Sequence, residues 1–361
     1  MNILHLIDTL DLGGAQVIVK NFVESDIPHN QYVFVLRSTE IHIPINGKVV
    51  IFPGKSRFSF KPIKEICKFI KENNIEVLHC HLFRSQFFGY ILKRMYFPDI
   101  KLFFHEHGPL SEQFEGFITK MLLRMSGKIL DKSIAVSQMM KELLINEGKV
   151  PQSKIEILPN FIFPENFGAD KIEKRRLFRE YHKISNDDFV VGYAARIIPR
   201  KGWETFFSSL KDIKAKNVTV VFAGSGKDRD KLCKMLDKSG FPIKVKYIGY
   251  VAEMDKFYAG VDCFVIPSWW EPFGLTALEA QASGVPVVAS DIPGLTEVVN
   301  WGNALLFPVK NSTLLACQIA ALEHSKALRD RLVKYGHINI KRFEKNVIIQ
   351  KLNRIYLYCT D

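Results

Sequence analysis

The residues of this chain best suited to chemistry lie between Ser268 and Ser283, SWWEPFGLTALEAQAS, where two carboxylates, Glu271 and Glu279, flank Gly274. An ionised carboxylate accepts several hydrogen bonds at once, which suits it to a vicinal diol on a sugar or ribose. Glycine lets a backbone come close to a ligand, and the unpaired N–H groups of a helix N-terminus suit an anion. Spacing alone leaves a second reading open, in which Glu271 complements a helix dipole and Glu279 lies on a solvated face.

The run Cys263 to Ile266 is short, apolar and bounded by Asp262 and Pro267, so it predicts a buried strand. After Gly274, residues Leu275, Leu278, Glu279 and Ala282 fall at helical spacing, and Gly284 and Pro286 supply stop signals. The segment therefore reads as strand, loop, helix, with its loop outside the carboxyl end of the strand, where open α/β sheets bind ligands. Glu271 falls in the loop and Glu279 more than a turn inside the helix. The two carboxylates are thus expected to do different jobs.

The string EPFGLTALEAQASGVPVVASDIPGLTEVV, Glu271 to Val299, resembles the donor-site signature of retaining glycosyltransferase family 4, with its E-x7-E pair at Glu271 and Glu279. The resemblance implies a GT-B fold, two Rossmann-like domains with a cleft between them, and transfer of a sugar from a nucleoside diphosphate donor. It implies that Glu271 faces the donor sugar, that backbone N–H groups at Phe273, Gly274 and Leu275 hold sugar and phosphate, and that Glu279 holds the ribose. The family pattern GR-x4-KG is met by Arg196 and Lys201 with Gly202, although Ala195 stands where a glycine is usual. Cations in that loop would neutralise a diphosphate, arginine as a bidentate fork and lysine as a point charge. The family likeness also brings His107, at a strand end before Gly108, to the donor sugar, with His105 as the competing candidate. Gly224 falls in a G-x-G turn after a strand, and Tyr250 and Val251 follow the strand exit where the family reads the base.

Earlier in the chain, Asn2 to Ile7 runs into DTLDLGGAQ and an apolar-periodic helix, a first βα unit. Gly13 and Gly14 at its turn could meet a diphosphate or an acceptor, or simply make a tight turn. No G-x-G-x-x-G is present, which argues against a dinucleotide fingerprint, and Gln16 departs from the GGAE that is common in the family. His81, closing another strand, is placed with Gly13 and Gly14 on the acceptor side. Histidines two apart at strand ends, 79 with 81 and 105 with 107, lack a partner Cys or acidic cluster at zinc spacing, so no metal is expected. Asp228 and Asp230 form a D-x-D, but residues two apart on a helix point to different faces, and acids at a helix start answer the dipole.

At 361 residues the chain suits two domains. The expected division is 1–165 as an acceptor-binding Rossmann-like domain, 166–342 as a nucleotide-sugar-binding one, and 343–361 as a helix crossing back to the first. The apolar fraction is 47% with no 18-residue apolar run, which argues against a transmembrane helix. MNILHLIDTL has neither a basic n-region nor a cleavage site, so a cytoplasmic protein is expected. The six cysteines show no CxxC spacing and read as reduced core residues. A net charge of +12 favours anionic partners. No recognition helix, RRM or zinc finger points to nucleic acid. The expected donor is a nucleoside diphosphate sugar, UDP-linked, with a glycan or lipid-linked acceptor in surface polysaccharide or glycolipid synthesis and no cofactor. A sugar-nucleotide epimerase of similar architecture, or transfer to a soluble acceptor, is the rival. The helix expected over Arg84 to Phe97 sets Phe87, Phe88, Tyr90, Ile91 and Leu92 beside Lys93 and Arg94, and so predicts peripheral docking on an anionic membrane surface.

Overall fold

A computed structural model describes all residues but 12, 40–42, 57–58, 109–112, 216 and 359–361, and leaves the side chains of 113–115 undescribed. The chain divides into two compact units, Met1–Phe161 with Lys345–Asp361, and Ile162–Glu344. Each is a parallel sheet with helical crossovers, so the expectation of two Rossmann-like α/β domains is met.

In the first unit the strands are β1 (Asn2–Ile7), β2 (Asn30–Val35), β3 (Lys48–Ile51), β4 (Val77–His81), β5 (Lys101–Glu106), β6 (Lys132–Ala135) and β7 (Ile155–Ile157). They lie in the order β3-β2-β1-β4-β5-β6-β7. After Asn2 and Lys101 at the starts of β1 and β5, these two strands and β4 are buried, nearly continuous apolar runs interrupted by histidines and one glutamate, the pattern expected of central parallel strands. The order reverses between β1 and β4, which puts the loop after β1, with Gly13 and Gly14, at a topological switch point. The helix Lys345–Leu357 completes this unit, burying Ile348, Ile349, Leu352, Ile355 and Tyr356.

The second unit has β8 (Phe189–Ala194), β9 (Val218–Ala223), β10 (Lys244–Gly249), β11 (Cys263–Ile266), β12 (Val287–Ser290) and β13 (Leu305–Phe307), ordered β10-β9-β8-β11-β12-β13. Its core is built from Tyr193, Trp203, Phe206, Phe222 and the aliphatic residues of the strands. At about 1.5–3 kcal/mol for each large side chain removed from water, this packing is what holds the strand ends still. The switch point falls between β8 and β11. Arg179, on the helix Lys171–Tyr181 and 1% exposed, fixes the start of β11: it bonds the Asp262 carboxylate at 2.7 Å and the carbonyls of Gly260, Ser185, Asn186 and Asp188.

The helix expected at Arg84 to Phe97 spans Phe83–Met95, and part of its docking argument fails. Phe88 and Leu92 are core residues, and Lys93 is held by Asp131 at 2.6 Å and the Ile100 carbonyl at 2.8 Å. Lys93 therefore spends its charge inside the protein. Arg94, Met95 and Tyr96 remain exposed, as do Phe117, Met121 and Met125, which share one face of the helix Gln113–Ser126. Among the described residues no helix is long and apolar enough to cross a membrane.

Candidate functional site

The carboxyl ends of β8, β9, β10 and β11 are laced into one rim. Gly224 N–H donates to the Gly249 carbonyl at 2.7 Å, Ile197 N–H to that of Ser225 at 2.9 Å, and Trp269 N–H to that of Arg200 at 2.8 Å. Tyr250, exposed, and Val251, half-buried, continue this rim after β10. Arg196 is exposed in the loop after β8 and Lys201 closes the following short 3-10 turn.

The rim brings together two residues seventy positions apart. Lys201 Nζ lies 2.5 Å from Glu271 Oε1, and the same oxygen accepts from Ser268 Oγ at 2.8 Å. Both partners are largely buried, Lys201 at 18% and Glu271 at 9% side-chain exposure, so the pair keeps more of its strength than a surface bridge would. Gly202 makes the approach possible. Its φ is +69°, and a Cβ there would fall 1.7 Å from the Pro267 carbonyl oxygen, so only glycine lets the β8 loop pass the end of β11.

Gly274 caps the helix Leu275–Ala282 at φ +101°, where a Cβ would meet Leu295 at 2.4 Å. No side chain caps this helix and its first turn holds no acid, so neither a cap nor an acid of the helix itself competes for the N–H groups that lack intrahelical acceptors. Phe273 is buried beneath the turn, stacked edge-on against Phe343. Glu279, half-buried, accepts from Tyr258 OH at 2.9 Å. Desolvation pushes its carboxyl up to about 7, with the tyrosine bond pulling the other way. Tyr258 was not visible as a site residue in the sequence, because it sits in an ordinary core stripe of the helix Met254–Gly260. The D-x-D is engaged elsewhere: Asp228 takes the Trp203 indole N–H at 3.2 Å, and Asp230 pairs with Arg229 at 3.6 Å.

In the first unit, Gly13 precedes and Gly14 begins the helix Gly14–Val23, which likewise has no side-chain cap and no acid in its first turn. Asp8, just before this loop, is bound by Arg84 at 2.6 Å and Arg37 at 2.9 Å. His81 and His107 stand in a group of five imidazoles with His5, His79 and His105, and burial lowers the pKa of all five. His81 is fully buried and both its ring nitrogens are taken, by His5 and His107, each at 3.0 Å. Its ring therefore has no open atom for an acceptor, contrary to the sequence-based expectation. Of the two candidates at the end of β5, His105 is 1% exposed while His107 is half-buried. The signal for the array was present in the sequence as histidines alternating along two apolar strands, which places them on one face of the sheet.

Two parallel-sheet domains, the second with a laced rim of cations, carboxylates and an open helix N-terminus, define a doubly wound α/β chain. Residues 12–166 match the family described as Glycosyltransferase Family 4, and residues 174–338 match Glycosyl transferases group 1. Each of the two units thus matches a glycosyltransferase domain family. It is 31% identical over 228 residues to an uncharacterized glycosyltransferase of Methanocaldococcus jannaschii, a match covering 59% of this chain and 58% of that one. It is 24% identical to the phosphatidyl-myo-inositol mannosyltransferase of Mycobacterium leprae, over 98% of this chain and 91% of the relative. The crystal structure of Anabaena HepE in complex with UDP and glucose superposes with a TM-score of 0.84 at 20% identity, covering 98% of both chains. That likeness establishes the shared GT-B fold.

Proposed function

We propose that the protein transfers a sugar, with retention of anomeric configuration, from a UDP-linked donor to a glycan or lipid-linked acceptor. The observation that carries this reading is the Lys201–Glu271 pair, set beside the open helix N-terminus at Gly274 on the rim of the second domain. Sugar transfer leaves negative charge on the departing diphosphate. Lys201, Arg196 and the helix N–H groups at Phe273, Gly274 and Leu275 stabilise that charge electrostatically, which is the largest lever available to a site of this kind. Glu271 orients Lys201 and faces the donor sugar. Glu279 accepts from the ribose hydroxyls, and Gly224, Tyr250 and Val251 border the base. Within the first domain, His107 is assigned to the donor sugar and Gly13 and Gly14 to the acceptor.

Two neighbours support the donor and acceptor classes: the HepE complexes hold UDP with glucose, and the Mycobacterium leprae relative's name puts its sugar on phosphatidyl-myo-inositol. A membrane-presented acceptor also suits the exposed Met95, Tyr96, Phe117 and Met121 with Arg94 and Arg124 in the first domain. The test is a panel of UDP-sugars offered with lipid-linked glycan acceptors in EDTA, with UDP release and the product's anomeric proton followed by NMR. Release that depends on acceptor, an anomeric configuration matching the donor and full activity in EDTA are expected. Release without acceptor would favour an epimerase, an inverted product would remove retention, and activity restored only by manganese would give Asp228 and Asp230 a cation-binding role.

A further inference from the structure

We propose that Gln31, on β2, fixes the tautomer of His107 through a directional chain of hydrogen bonds that runs by way of His5 and His81. The chain can be oriented from one end. Gln31 Nε2 donates to the Phe22 carbonyl at 2.7 Å, so the amide oxygen is the atom that lies 3.0 Å from His5 Nε2. The flipped amide would set its oxygen against the Phe22 carbonyl, acceptor against acceptor. An amide oxygen only accepts, so His5 Nε2 carries the proton.

Each later step follows from the one before it. A neutral imidazole has one N–H, and burial among like rings keeps these imidazoles neutral. His5 Nδ1 must then accept, and the atom 3.0 Å away is His81 Nε2, which donates. His81 Nδ1 accepts in turn from His107 Nε2 at 3.0 Å. His107 is left with an unprotonated Nδ1 that has no hydrogen-bond partner among the described residues. It offers a lone pair to a ligand hydroxyl and cannot donate there.

The three rings come from three strands, β1, β4 and the end of β5, and their stacking, with His81 and His107 centroids 5.3 Å apart, holds the chain rigid. A cation is the other use such rings could have, because His5, His79 and His81, and likewise His81, His105 and His107, keep their ligand atoms within 4.8 Å of one another. Both nitrogens of His5 and of His81 are already committed to the chain, and this favours a fixed tautomer over a bound ion. A parallel chain, Tyr356 to His79 to His105, ends at a buried His105 Nε2 with no partner, so it leads to no ligand-facing atom.

The consequence for transfer rests on the reading of His107 as a donor-sugar contact; the tautomer itself does not. Gln31 and His5 are positioning residues in this account. Long-range proton–nitrogen correlation of the protein labelled with 15N-histidine, with the His107 signals assigned through His107→Gln, reads the tautomer directly. Wild-type protein should show a protonated Nε2 and an unprotonated Nδ1 at His107. Gln31→Leu should mix the two tautomers and lower kcat for transfer from a UDP-sugar about fivefold to tenfold, the worth of one hydrogen bond. A wild-type His107 protonated at Nδ1, or a tautomer untouched by Gln31→Leu, would overturn the proposal. A tautomer that shifts while kcat holds would uphold the chain and remove His107 from the reaction.

Discussion

Glu271→Ala should lower turnover by about a hundredfold to a thousandfold, the cost seen when one preorganised electrostatic group is removed from a reacting centre. Glu271 Oε1 receives both Lys201 and Ser268, so its loss frees the ammonium that the proposed reaction needs at the diphosphate. Lys201→Ala should be damaged to a similar degree, and the double variant should be no worse than the worse single one, because residues that act through one contact are strongly non-additive. KM for the donor should change less than kcat. Steady-state kinetics on the three variants, with melting curves to check the fold, decides the matter. Additive losses would mean that the two side chains work independently, and a Glu271→Ala enzyme of wild-type turnover would remove the residue from the site.

The largest stability effect should come from Arg179→Ala, at about 3–5 kcal/mol, because a buried charge network is broken from one side. Asp262 would keep Arg175 at 2.7 Å, but the carbonyls of Gly260, Ser185, Asn186 and Asp188 would lose the guanidinium that gathers them. For a domain of this size the melting temperature should fall by about 10 °C or more. Arg179→Lys should recover only part of it, since an ammonium cannot reproduce the fork. A melting curve shifted by less than about 2 °C would show that the network is redundant. The start of β11, and with it the loop that carries Glu271, depends on this contact.

Much of the fold was legible because central parallel strands are short apolar runs between turn residues, and the runs read at Asn2 to Ile7 and Cys263 to Ile266 are β1 and β11. The stretch from Cys263 to Ala282 marked the second domain's candidate site for the same reason: its strand, glycine turn and helix are contiguous in sequence. What could not be read was anything that needs register or long-range pairing. Lys201 and Glu271 each stood out, but not their contact. Tyr258 was hidden in a core stripe. Lys93 looked like a free cation beside apolar residues because the position of Asp131 cannot be read from a helix in isolation. The alternating histidines were visible, yet the place of His5 among them follows from β1 lying beside β4, and that of Gln31 from β2 lying beside β1.

The central claim, a nucleoside diphosphate bound on the rim of the second domain with Glu279 on its ribose, is tested most directly by calorimetric titration of UDP at several pH values. The Glu279 carboxyl is pushed up to about 7, so it is largely neutral below that pH and ionised above it. Only the ionised form is purely an acceptor, which is the form that suits two ribose hydroxyls. The account predicts one UDP bound per chain in the presence of EDTA, with binding that tightens as pH rises through about 7 in wild-type protein. In Glu279→Gln binding should be weaker by about tenfold, and the part of the pH dependence not due to UDP itself should disappear. Absence of binding by UDP, ADP and GDP alike, or UDP binding that Glu279→Gln leaves unchanged in strength and pH dependence, would contradict it.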